Sequence, residues 1–409
     1  MALYVMKFGG SSVASLELIR AAAGVVARRR GEGHDVVVVL SAMGDTTDEL
    51  IAMAHALSPR PQPREMDMLL SSGEQVSVAL MAIALKERGL KARSWLGSQV
   101  RICTDSVHCK ARIAEVETHK LEADLAAGTI PVVAGFQGVD ADGQVTTFGR
   151  GGSDTTAVAL AAALSAAECQ ILTDVDGVYT TDPRMVPRAR RLARVTFEEM
   201  LELASLGSRV LQIRSVQFAG KYNVPVRVMH NSGEGDGTLI SYEEPEVEAP
   251  IVSGIAFSRD EAEVTVTGVP DKPGSGHVIL RTVSEAHIVV DMIVMNAPRA
   301  GCVDFSFSVP RNEYEMAMEQ ARAAADEIGA GEVIGNPGVA KISVVGVGMR
   351  SHAGVATSMF ETLAREGINV RMVSTSEIKI SVLVEEKYLE LGVRSLHETF
   401  GLDRAPAGA

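Results

Sequence analysis

Between residue 1 and about residue 240 the chain alternates short β-branched runs with longer helical stretches. The runs are "DVVVVLSA", "ARSWLG", "TIPVVAGF", "CQILTDV" and "VPVRVMH", preceded by an apolar strand over Leu3 to Phe8. A strand that is apolar on both sides must be covered on both faces. Strands separated by helices run parallel, because an antiparallel neighbour needs only a tight turn. The pattern therefore predicts an α/β domain with a largely parallel sheet between two helical layers. Ser15 to Arg30 reads as its first helix, with Leu16, Ile19, Ala23 and Val26 on one face.

At 409 residues the chain has room for two or three domains, and 46% apolar composition is that of an ordinary globular protein. A formal charge of −13 argues against an extended nucleic-acid surface, so an anionic ligand would need local positive groups. Cys103, Cys109, Cys169 and Cys302 have no zinc-ligand spacing and no disulfide pattern, which fits a reduced, cytoplasmic setting. No stretch approaches the roughly 20 uncharged apolar residues of a membrane span. The N-terminus lacks the features of a signal peptide. Ala157 to Ala167 is too short for a span and reads as a buried helix.

Asn231 to Pro250, rich in Gly, Glu and Pro, marks a domain boundary. Beyond it lies an internal repeat: Val264 to Asn296 overlays Ile342 to Ser376 at an offset of 80, placing Gly274 on Gly354, Val290 on Val370 and Met292 on Met372. Each copy reads strand, glycine loop, helix, strand, strand, helix, and "GEVIGN" completes the first as a βαββαβ unit. The second copy runs out of chain before its last strand, and the spare strand Ile251 to Phe257 can supply it. The expected domains are 1–245, an inserted domain 264–337, and a composite of 251–260 with 338–405. "GVGMRSHAG" superficially resembles a dinucleotide fingerprint, but its unit is too short for one.

Polar residues gather where the apolar strands end. "KFGGSS", Lys7 to Ser12, sits at a strand-to-helix turn where Gly9 and Gly10 open the backbone to an anion; the other reading is a tight connection with a solvated lysine. Ser41 and Thr47 follow the second strand, Glu74 sits beside Gly73 near a helix, and Arg150 precedes two glycines, Ser153 and Asp154. Thr173, Asp174, Asp176, Tyr179, Asp182 and Arg184 follow Cys169 to Leu172. Singly, Ser41, Thr47 and Ser153 read equally well as helix caps, Glu74 as a solvated charge, and "DVDG" and "TTDP" as turns. Together they fall where open α/β sheets bind ligands, outside the carboxyl ends of the strands.

"KFGGSSV", "VLSAMGDTTDEL", "LSSGEQVSVAL", "GRGGSDTTAVALA" and "TDVDGVYTTDPR" resemble the aspartokinase branch of the amino-acid kinase family, over essentially the whole chain. The resemblance implies a carbamate-kinase-like αβα domain followed by two ferredoxin-like ACT domains. It also implies phosphoryl transfer from ATP, with Mg2+ carried by the nucleotide, to the side-chain carboxylate of L-aspartate. A carboxylate is already ionised at pH 7, so the chemistry needs cations and N–H donors to bring two anions together rather than a base. The catalytic residues implied are Lys7 and Asp154, the latter organising Lys7. The ATP site takes Lys7, Phe8, Gly9, Gly10, Ser11, Thr173, Asp174, Tyr179, Thr180, Asp182, Pro183, Arg184 and Arg209, where relatives often carry lysine in place of Arg209. The aspartate site takes Ser41, Thr47, Glu74 as partner of the ammonium, Arg150 as a fork on the α-carboxylate, Gly151, Gly152 and Ser153.

For the repeats the resemblance implies feedback by lysine, threonine or both. The effector residues are Asp271, Lys272, Pro273, Gly274, Ser275, Gly276, Asp291, Met292, Ile293 and Asn296 in the first copy. In the second they are Asn369, Val370, Thr375, Ser376 and Glu377. A homo-oligomer through the ACT domains is expected, with or without a shorter regulatory chain; no nucleic-acid or membrane partner is expected. The competing readings are a kinase of another amino acid such as glutamate, a non-catalytic amino-acid sensor, and repeats that only dimerise.

Overall fold

A computed structural model of the chain describes residues 1–205, 210–242 and 251–404. It divides into two compact units. The first holds Met1–Val178, Arg191–Ala204 and the described elements as far as Ser241; the second holds Tyr179–Arg190 and the described residues from Ile251 onward.

The first unit begins β1 (Leu3–Phe8), α1 (Leu16–Gly31), β2 (Asp35–Leu40), α2 (Thr46–Leu57), α3 (Pro63–Leu70), α4 (Ser72–Glu87), β3 (Ala92–Trp95) and α5 (Gly97–Val100). It continues with β4 (Ile102–Thr104), β5 (Ile113–Val116), α6 (His119–Ala126), β6 (Ile130–Ala134), β7 (Gln137–Val139), β8 (Val145–Thr147) and α7 (Gly152–Ala163). It ends with β9 (Glu168–Thr173), β10 (Arg194–Thr196), α8 (Phe197–Ser205), α9 (Ile213–Tyr222), β11 (Val226–His230) and β12 (Thr238–Ser241).

The main sheet has eight strands in the order β10-β12-β11-β9-β1-β2-β6-β3. From β11 to β3 all pairs are parallel. The reason is the one read from the sequence: Val36 to Leu40 are all buried, and so are Val5, Met6 and Phe8. Helices α1 and α4 cover one side, where Ile19, Ala23 and Val26 meet Val78, Met81 and Leu85. Leu16, expected on that face, is 50% exposed, because it is the first residue of the helix and precedes the turn that reaches the sheet. The helical stretch Pro63–Glu87 is long and apolar enough to cross a membrane by length and composition, yet its α4 side chains belong to this core.

Two features depart from the sequence reading. Asn231 to Pro250, read as a boundary, contains β12, which pairs antiparallel with β11. Gly233, Gly235 and Gly237, all at positive φ, turn the chain back to allow it. A four-stranded side sheet, β5-β4-β7-β8, was not expected at all; its strands have three or four residues, too short to show a period.

The second unit carries β13 (Gly254–Pro270), α10 (Ser275–Glu285), β14 (Ile293–Met295), β15 (Cys302–Val309), α11 (Tyr314–Ile328), β16 (Val333–Val345), α12 (Val355–Arg365), β17 (Met372–Thr375), β18 (Lys379–Glu385) and α13 (Leu389–Thr399). Its six strands make one sheet, β14-β15-β13-β16-β18-β17. Gly254 to Phe257 pair with Ile342 to Val345, which also pair with β18, while Val264 to Val266 pair with Val333 to Gly335. Thus the spare strand and the first repeat strand are one 17-residue element. No Gly or Pro interrupts "SRDEAE", so the strand runs on through a bulge. Gly274 and Gly354 precede α10 and α12 in the same left-handed conformation, φ 100° and 105°, preserving the repeat.

Candidate active site

The carboxyl ends of β1, β2, β6 and β9 form one rim, tied together by backbone bonds. Gly9 N–H donates to Leu172 O, Ser41 N–H to Phe8 O, and Gly135 N–H to Leu40 O. Glycines make the close approaches possible. A Cβ on Gly10 would stand 3.0 Å from Ala42 O, and one on Gly135 2.7 Å from Ser153 Cβ.

Onto this rim β1 delivers Lys7 and α7 delivers Asp154. Lys7 Nζ lies 2.6 Å from Asp154 Oδ1. Lys7 is 8% exposed, so it is not a solvated lysine. Helix α7 is buried from Gly152 to Ala161, which fixes Asp154 on a rigid element. Its N-cap is Gly151 without a side-chain bond, and the N-cap of α2 is Asp45, also without one. Ser41, Thr47 and Ser153 are therefore not side-chain caps of these helices.

Glu74 lies in the first turn of α4 and is 3% exposed. Gly73 lets α4 approach the loop after β2, since a Cβ there would meet Ala42 Cβ at 2.8 Å. Ala42 N–H donates to Glu74 Oε1 at 3.0 Å, and Oε2 is buried without a hydrogen bond. Burial pushes the Glu74 carboxyl up to about 8. A buried carboxyl with one bare oxygen is a receptor for a donor such as an ammonium group.

Arg150 follows β8, exposed between Gly149 and Gly151, both at positive φ. It pairs with no carboxylate among the described residues. Ser11 is exposed, whereas Ser12 is buried and donates to Leu172 O. Thr173 Oγ1 donates to Asp174 Oδ1 at the end of β9. The structure thus brings together Lys7, Gly9, Gly10, Ser41, Glu74, Ser153 and Asp154.

Tyr179, Thr180, Asp182, Pro183 and Arg184 belong instead to the second unit. There Thr180 is fully buried, its hydroxyl 2.9 Å from His397 Nε2. Partial burial pushes the Asp182 carboxyl up, but hydrogen bonds from the Arg184 side chain and backbone outweigh it and hold it below its ordinary value. Arg209 lies outside the described residues. Of the effector positions, Asp291 pairs with Lys341, and Met292 is buried with Val339, Met372 and Leu383. Glu377 pairs with Arg350, while Ile293 is exposed. Sequence reading missed the buried network around Asp67, because an acidic residue in "PREMDMLL" gives no sign of which partners the fold brings to it.

The fold and this rim define a class, an α/β phosphotransferase with a lysine-carboxylate pair at the strand ends, and comparison with known proteins agrees. The amino acid kinase family model matches residues 2–230, and an ACT domain model matches residues 342–400. An aspartate kinase of Pseudomonas putida is 61% identical over 408 residues, 100% of this chain and 99% of that one. Crystal structures of E. coli aspartokinase III are 26% identical and cover 97% of this chain and 99% of theirs. The complex with aspartate and ADP superposes with a TM-score of 0.80, and that with lysine and aspartate with 0.77. The chain belongs to the amino acid kinase family, in its aspartate kinase branch.

Proposed function

We propose that the chain transfers the γ-phosphoryl group of ATP to the side-chain carboxylate of L-aspartate, giving 4-phospho-L-aspartate, the entry to lysine, threonine and methionine synthesis. The observation that carries this reading is the buried Lys7–Asp154 pair, together with a buried Glu74 that is bonded to the loop after β2 and keeps one bare oxygen. The 61% identical relative supports the choice of acceptor.

Two anions must meet, and each has a counter-group. Lys7 faces the transferring phosphoryl group and neutralises charge that spreads over its oxygens in the transition state. Asp154 holds the Lys7 side chain in place at 2.6 Å; it takes no proton from the substrate, whose carboxylate is ionised already. The backbone at Gly9 and Gly10 offers N–H groups to the phosphates, with Thr173 and Asp174 on the nucleotide side. Mg2+ carried by the nucleotide would supply further charge neutralisation at its phosphates. Glu74 receives the substrate ammonium, and Arg150 grips the α-carboxylate with two parallel N–H bonds. Ser41, Thr47 and Ser153 complete the pocket.

The ACT half makes the kinase responsive to lysine, threonine or both. E. coli aspartokinase III has been crystallised with lysine in a state designated T, which supports this assignment. An effector acts by favouring a less active state, so substrate and effector weaken each other reciprocally at equilibrium.

A coupled ADP-release assay with aspartate, glutamate and acetylglutamate, each with and without lysine and threonine, tests the proposal. Release with aspartate alone, lowered by an effector, is the expected result. Release with glutamate instead would reassign the acceptor, and none with any acceptor would make the chain a sensor.

A further inference from the structure

Resting on the assignment of Glu74 and Arg150 to the aspartate pocket, we infer that Asp67 is a positioning residue that sets the spacing between these two groups. Asp67 lies on α3 and is fully buried. Its Oδ1 accepts the Thr147 hydroxyl at 2.5 Å and Cys109 N–H at 3.0 Å, and its Oδ2 is 2.7 Å from His108 Nδ1.

These partners hold the stretch that leads into Arg150. Thr147 ends β8, three residues before Arg150. Its carbonyl accepts Ala111 N–H, and Arg214 bridges Phe148 O at 3.0 Å and Ala111 O at 2.6 Å. A Cβ on Gly149 would stand 3.0 Å from Cys109 O, so the 108–111 loop lies directly against the residue before Arg150.

The other end of Asp67 is helical continuity with Glu74. Helix α3 passes into α4 through the single residue Ser71, at φ −64° and ψ −16°, whose N–H donates to Asp67 O, so Pro63–Glu87 is one continuous helical stretch. Residues 67, 71 and 74 are spaced i, i+4 and i+7 and share a face. The Ser71 carbonyl accepts Gln137 Nε2 at 2.9 Å, which fixes the junction. Asp67 therefore joins the helix that carries the ammonium receptor to the strand end that carries the carboxylate fork. A fully satisfied buried carboxylate holds its neighbours in one arrangement, and loss of one bond frees the whole network. The hydrogen bonds of Asp67 go to His108, Cys109 and Thr147 and not to Lys7, Asp154, Glu74 or Arg150.

The test is steady-state kinetics of the full-length enzyme with Asp67→Asn, Thr147→Val and Thr147→Ser, alongside Arg150→Ala. Expected are an aspartate KM raised roughly tenfold or more by Asp67→Asn and Thr147→Val, as for displacement of a positioning group, with kcat and ATP KM nearly unchanged. Thr147→Ser, which keeps the hydroxyl, restores KM, and the Asp67→Asn, Thr147→Val double variant is no worse than the poorer single one. Normal aspartate KM in both Thr147→Val and Asp67→Asn, or equal rises for aspartate and ATP, overturns the inference while leaving the pocket intact. If Asp67→Asn does not fold, the Thr147 pair decides alone. An unchanged aspartate KM in Arg150→Ala overturns the pocket assignment and the inference with it.

Discussion

Lys7 Nζ lies 2.6 Å from Asp154 Oδ1, with both side chains about nine-tenths buried. Desolvation makes each ion costly without the other, and their pairing keeps an ammonium available at the strand end without a search among rotamers. The arrangement answers why this lysine precedes its glycines: it sits on the strand, and the turn behind it is the part that opens the backbone.

Lys7→Ala is expected to lower kcat by ~10²–10³, the usual loss for one preorganised transition-state donor, with little change in aspartate KM. Asp154→Asn lowers kcat in the same direction by releasing Lys7. Steady-state kinetics checks both, and near-normal turnover of Lys7→Ala removes that residue from the mechanism.

Arg150→Ala should raise aspartate KM strongly and leave ATP KM alone. Gly151→Ala should do so more mildly and also cost about 1–3 kcal/mol of stability through backbone strain. The residue sits at φ 72°, where an added Cβ meets Gln212 Cγ at 1.8 Å. Urea denaturation and substrate titrations separate the two effects; a KM change confined to ATP would place Arg150 on the other substrate.

Glu74 predicts a pH signature. Burial pushes its carboxyl from 4.5 to about 8, so the ligand-free protein holds a proton there at neutral pH. An ammonium favours the ionised form, so aspartate binding at pH 7 releases a proton, and aspartate KM falls as pH rises toward about 8. The stability sign is opposite. With the folded value above the unfolded one, the contribution is full below 4.5 and is lost as pH rises through about 8. Glu74→Gln should flatten both slopes; a KM slope that survives the substitution belongs to another group.

In the second unit Lys341 lies 2.5 Å from Glu261 and also pairs with Asp291. At the repeat offset, Lys341 corresponds to Glu261 and Arg371 to Asp291, so one copy carries carboxylates where the other carries cations. Lys341→Met should destabilise this unit by about 3–5 kcal/mol, because it strands buried Glu261. The double variant Glu261→Gln, Lys341→Met should recover part of that loss. Chemical denaturation monitored on the ACT half reads it out, and a neutral single variant would show the pair to be dispensable.

Much of this was written in local pattern. The apolar runs through Val36–Leu40 and Ile130–Ala134 announce a sheet covered on both faces, because nothing in them can face water. Gly-Gly turns followed by helices, at Gly9-Gly10 and Gly151-Gly152, marked Lys7 and Asp154 as candidates for one site. The repeat was legible because Gly274 and Gly354 each need a left-handed φ, which shows as a glycine at a fixed offset.

The chain by itself determined the main parallel strands and the repeat, which half does chemistry, and the residue types that can hold two anions together. Only the tertiary structure decided who meets whom. It turned Glu74 from a helix charge into a buried receptor, merged two repeat strands into β13, and gathered His108, Cys109 and Thr147 around Asp67. The physical reason is that burial and partnership are properties of long-range packing. A carboxylate has the same letters in the sequence whether water or a lysine 147 residues away satisfies it, and that difference sets its charge and its use.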